Sequence, residues 1–107
     1  MATTTVPTTI KPEALALARE YGVERELYEI LDKGREMVRG LRALEVEPEP
    51  PTDMGPRLIV VRAEIDPDCD DDPSHLAWWS WPIDTFGVDK ASQFLVTTVL
   101  LREEHGR

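Results

Sequence analysis

The sequence predicts an α+β protein: an N-terminal helical pair with one long amphipathic helix, followed by a small antiparallel sheet of about three strands. Three observations carry this reading. Apolar or small residues recur at Val23, Leu27, Ile30, Gly34, Met37, Leu41 and Leu44, a heptad seam of the kind that buries one stripe of a helix. Arg57–Ile65 alternates, with Ile59, Val61, Ala63 and Ile65 on one side and Leu58, Val60, Arg62 and Glu64 on the other, the period of a half-buried strand. Val96-Thr97-Thr98-Val99 is a β-branched run, stiff at χ1 and suited to a pleated sheet.

Taken in order, residues 1–9 form a polar, Thr-rich arm without periodicity, expected to be mobile. Pro12 suits the first turn of a helix, where its missing N–H costs nothing. Ala14–Tyr21 continues with helix formers, and Gly22 is placed to end this helix in a left-handed conformation. The long helix then spans Val23–Leu44. Residues 46–56 form a Pro-rich connector, with Pro48, Pro50, Pro51 and Pro56 excluding helix. After the strand over Arg57–Ile65, Asp66–Pro73 is an acidic loop. Leu76–Trp81 is expected as a second strand stopped by Pro82, and Asp84–Asp89 as a turn. Phe94–Arg102 is the third strand, apolar on both faces as a central strand would be. A C-terminal helix capped by Asp89 is its rival, but the apolar residues would then wrap most of the circumference.

A chain of 107 residues is read as one domain, 1–107, able to bury roughly two-thirds of its unfolded surface. Acidic residues outnumber basic ones 21 to 12, a net charge of −9. That balance opposes binding to nucleic acid or anionic lipid, both of which reward positive charge. Cys69 is the only cysteine, so no internal disulfide forms and a reducing, cytoplasmic location is expected. The N-terminus lacks the pattern of a signal peptide, and no apolar run approaches a membrane span.

Two stretches carry candidate chemistry. Asp66, Asp68 and Asp70 begin like a calcium loop, but Asp71 stands where the sharp turn needs Gly and Ala77 where the bidentate Glu belongs. Cys69 and His75 do not supply the four ligands of a structural zinc. No metal and no cofactor is therefore expected. Trp78-Trp79-Ser80-Trp81 either fills a core or leaves an aromatic face accessible beside the acidic loop, where stacking and charge together hold a cation. No Gly-x-Ser-x-Gly elbow or phosphate-binding glycine loop is present, and adjacent Ser74 and His75 would point apart on a strand. These absences weigh against an enzyme.

The resulting expectation is a non-catalytic interaction or accessory protein. It would act as a homodimer through the stripe Leu27, Ile30, Gly34, Met37, Leu41 and Leu44, unless the chain's own sheet covers that stripe. An acidic surface bearing Trp78, Trp79, Trp81, Asp68, Asp70 and Asp71 would face a basic protein or a cationic ligand. The alternatives are a small-ligand binder with a Trp-lined pocket and an acidic inhibitor that mimics nucleic acid.

Overall fold

Among the described residues, four strands and four α-helices alternate in pairs. The computed structural model describes residues 6–50 and 55–100. Strand β1 (Thr8–Ile10) leads through α1 (Pro12–Glu20) and α2 (Glu24–Met37) to β2 (Leu41–Pro48). Strand β3 (Ile59–Ile65) leads through a 3-10 turn (Pro67–Cys69), α3 (Pro73–Phe86) and the short α4 (Val88–Ala91) to β4 (Phe94–Leu100). The sheet order is β1-β2-β3-β4. Pairs β1/β2 and β3/β4 are parallel, and β2/β3 is antiparallel. A parallel pair needs a crossover, and each helical pair supplies one. The class is α+β, but the sheet is four-stranded and mixed, and helices occur in both halves. The expectation of an N-terminal helical pair followed by a three-stranded antiparallel sheet is corrected on both points.

The largest correction falls on the long helix. Its stripe is helical only to Met37; Val38 is extended and Gly40 turns the chain at φ +76°. From Leu41 the chain is strand, and Leu44 and Val46 point to the core while Glu45 and Glu47 point away. Leu41 and Leu44 match the heptad by coincidence: three residues apart, they would face opposite sides of a regular strand, and the register shift between Leu41 and Ala43 lets both pack on the core. The stripe is covered within the chain. Leu27, Ile30 and Gly34 are buried against the sheet and α3, and Met37 packs at the core's margin.

Other boundaries shift for local reasons. Thr8 and Thr9, read as part of a mobile arm, pair with Leu44 and Glu45 as β1. Val46–Pro48, read as connector, belongs to β2 and pairs with Val61–Ile59. Gly22 (φ +72°) does separate α1 from α2. The alternation over 59–65 is β3, with Ile59, Val61, Ala63 and Ile65 buried. The β-branched run is β4, but at the sheet's edge rather than its centre.

The tryptophan stretch is helical, not a strand. Asp72 caps α3 by accepting a bond from the Ser74 N–H at 2.9 Å, and Pro73 occupies the first turn. The helix runs through Pro82 because His75, Trp78 and Pro82, three and four residues apart, are buried on one face. That burial offsets the backbone bond which Pro82 cannot donate.

Helices α1, α2 and α3 pack on one face of the sheet. Ala14 and Ala18 of α1, Leu27, Ile30 and Leu31 of α2, and Trp78 of α3 meet Leu44, Val46, Ile59, Val61, Ala63, Ile65 and Phe94 in a single core. On the opposite face Arg62 lies between Glu45 (3.3 Å) and Glu47 (2.5 Å). Glu47 above all holds the guanidinium protonated, shifting it upward from its ordinary value.

Candidate functional site: an acidic cleft beside Trp79

The three tryptophans have three different fates. Trp78 is fully buried, its Nε1–H donating to the Ile30 carbonyl at 3.1 Å and its ring seated on Gly34. It is structural. Trp81 lies half-buried in a shallow groove between α2 and α3, packed edge-on against Phe86 with centroids 5.2 Å apart. Trp79 stands on the outer flank of α3, 40% exposed.

The acidic loop turns toward Trp79. The Cys69 N–H donates to Asp66 O, and Asp68 N–H donates to the Asp66 carboxylate at 3.0 Å. Asp71 then takes φ +69°, a left-handed conformation that Asp tolerates better than most residues. This reversal brings Asp70, Asp71 and Asp72 to the start of α3. There they line a cleft of about 240 Å³ with Pro73, His75, Leu76, Trp79 and Thr98 of β4. Asp68 is exposed on the preceding turn and does not line the cleft.

Of the three carboxylates, Asp72 has partners. Its bond from the Ser74 N–H, aided by Arg39 at 3.9 Å, holds its carboxyl below the ordinary range. Asp70 and Asp71 make no salt bridge among the described residues. His75 is buried, and its Nε2 lies 3.0 Å from the Arg39 carbonyl. A carbonyl only accepts, so Nε2 carries the proton in that bond. The Arg39 N–H in turn donates to Ser74 Oγ at 3.0 Å. The turn after α2 is thereby fastened to the start of α3, and the cleft has a rigid inner wall.

The α2–α3 groove gives an internal contrast. It is lined by Glu29, Asp32, Lys33, Glu36 and Trp81, the same chemistry of carboxylates around an indole. Here every carboxylate is paired: Glu29 with Arg25 (3.7 Å), Asp32 with Arg35 (2.7 Å) and Glu36 with Lys33 (2.7 Å). Lys33 Nζ also lies 5.7 Å from the centre of a Trp81 ring, within reach of cation–π attraction. The groove holds its own lysine. Among the described residues, the cleft at Trp79 presents the same groups without one.

Of the residues singled out in the sequence, the fold brings Trp79, Asp70 and Asp71 together and separates Trp78, Trp81 and Asp68 from them. Leu76 and Thr98 were not anticipated, and His75, weighed in the sequence only beside Cys69 as a metal ligand and beside Ser74, lines the cleft. Leu76, Trp79 and Ile83 follow helical spacing, a signal visible only once the stretch is read as helix. Thr98 comes from a strand distant in sequence, and no local pattern announces it. Among the described residues no group of three or more His, Cys, Asp or Glu side chains is arranged to hold a metal ion. None of their helices is long and apolar enough to cross a membrane. No known protein family, curated protein or solved structure matches this chain.

Proposed function

We propose that this is a non-catalytic binding protein that engages a basic partner protein, taking a lysine or arginine side chain into the cleft at Trp79. One observation carries the reading: an exposed indole stands beside two carboxylates, Asp70 and Asp71, that have no cation of their own among the described residues. Size supports a side chain over a whole metabolite. Pockets for drug-sized ligands span roughly 300–1,000 Å³, and this cleft is about 240 Å³. The Lys33–Trp81–Glu36 arrangement on the same molecule supports the reading, since there a lysine lies between an indole and a carboxylate.

Titration with a tri-lysine peptide tests the proposal, with the indole N–H signals of the three tryptophans followed by NMR. The Trp79 signal should move while those of Trp78 and Trp81 stay in place. Binding should weaken as salt rises, because the charges lie at the surface. Trp79→Ala should weaken it by about 2- to 30-fold, the span of a cation–π contact. Asp71→Asn is the matched charge variant, since Asn also tolerates the left-handed backbone. Affinity unchanged in both variants would overturn the proposal. Tetramethylammonium serves as the small-cation arm: binding it as tightly as the peptide would point to a free cationic ligand instead.

A further inference from the structure

Among the described residues the outer edge of β4 is unpaired, and it lies beside the same cleft. The Ile59 N–H donates to the Gln93 carbonyl. In a parallel ladder, peptide groups alternate between the two sides of a strand. Leu95, Thr97 and Val99 therefore bond toward β3, while Phe94, Val96, Thr98 and Leu100 turn their N–H and C=O groups outward. β4 closes the sheet order, and no described strand pairs with that outer side.

Sheet proteins commonly guard such an edge with proline, charge, a bulge or brevity. β4 has none of these. Its seven residues, Phe94–Leu100, include no proline and no charge, and their register with Ile59–Ile65 is unbroken. The opposite edge is different: β1 has three residues, with Pro7 just before it and Pro12 soon after. The unguarded edge is also overlooked by an apolar line. Leu76 (63% exposed), Trp79 and Ile83 (53% exposed) run along the outer flank of α3, and Thr98 lines the cleft together with Leu76 and Trp79.

We infer that the partner docks on β4 as an extended basic segment, adding a fifth strand to the sheet. This rests on the reading above and names the form of the partner. Main-chain bonds to Phe94, Val96, Thr98 and Leu100 give the docked segment its register. Its alternate side chains on the helical side meet Leu76, Trp79 and Ile83. A basic residue near the Thr98 end enters the cleft between Trp79 and Asp70. Charge selects this occupant over a second copy of the chain. A copy would bring another net charge of −9 toward the same carboxylates, whereas a basic strand neutralises them.

The test uses the intact chain and a displayed library of random peptides about nine residues long, enough to span the seven-residue edge at about 3.3 Å per residue. Selected peptides should carry apolar residues at alternate positions and Lys or Arg toward one end. On binding they should slow amide exchange at Val96, Thr98 and Leu100. N-methylating the peptide at alternate residues, which leaves the protein untouched, should cost at least about tenfold in affinity in one register and little in the other. Peptides that lose affinity in Asp71→Asn but leave the β4 amides unprotected would overturn strand addition while keeping the basic-partner reading. A library yielding no binder would overturn both. Protection of the β4 amides without peptide, together with a two-chain mass in solution, would give the edge to a second copy and overturn the inference.

Discussion

Gly34 occupies a position where a single methyl group has two opposed effects. Alanine would favour α2 by about 1 kcal/mol over glycine. Its Cβ would also lie 3.0 Å from the Trp78 ring. That ring is fully buried and tethered through Nε1 to Ile30, on the same helix as Gly34, so it has nowhere to go. Overpacking of this kind costs about 1–3 kcal/mol. Gly34→Ala should therefore lower stability by about 1 kcal/mol net, read as a reduced urea midpoint; a raised midpoint would show that the ring yields. Gly40 is stricter. It takes φ +76°, and a Cβ there would come within 2.6 Å of Cys69 Sγ. Gly40→Ala should cost more than Gly34→Ala, because strain in the left-handed backbone of about 1–2 kcal/mol adds to the clash.

Among the described α-helices, α4 is the least anchored by burial, with Ala91 its buried residue. Lys90 ties it to α2 by donating to Glu26 at 2.8 Å. That bond is the main cause holding the Glu26 carboxyl below its ordinary range. A lowered folded value gives a stabilisation that is complete above the unfolded carboxylate range and lost as pH falls through the folded one. Asp72, lowered chiefly by the Ser74 N–H, has the same sign. The unfolding midpoint should thus fall below about pH 4.3, and Lys90→Gln should flatten that fall; an unchanged slope would deny the pair any part in it. Element by element, legibility followed the reach of the cause. β3 and the break at Gly22 were readable because alternation and a left-handed glycine are local. The ends of α2 and β2 were not, because Leu41 and Leu44 continue the heptad, and the register shift between Leu41 and Ala43 that brings both to the core from a strand has no local signature. The helix at Trp78 was announced by Asp72-Pro73 but masked by Pro82, whose helical placement depends on burial against elements far away in sequence. The acid-plus-tryptophan composition located the cleft, while its partition among Trp78, Trp79 and Trp81 required the tertiary fold.

At the scale of the whole molecule, two strand–helix–helix–strand units stand side by side, joined by the antiparallel β2/β3 pair. Their helices share one core, so the apolar stripe of α2 serves the interior of its own chain. Leu27→Asp would place a carboxylate at a fully buried site. The lost packing and desolvation together should exceed about 4 kcal/mol, a large share of the roughly 5–15 kcal/mol of a typical domain. Circular dichroism should show unfolding. A folded variant whose only change is in solution mass would instead place the stripe between chains. The net charge of −9 acts at this scale too: it favours approach of basic partners at low salt and discourages self-association.

The turn between α2 and β2 belongs to the first unit, yet the second unit completes it. The Asp66 N–H donates to the Gly40 carbonyl, Ser74 Oγ accepts from Arg39, His75 Nε2 donates to Arg39, and Cys69 lies against Gly40. The halves are therefore interlocked rather than merely adjacent. Severed between β2 and β3 and expressed apart, neither half should hold its structure. Mixed, they should reassemble, making the chain a natural candidate for a split reporter whose signal depends on bringing two fused proteins together.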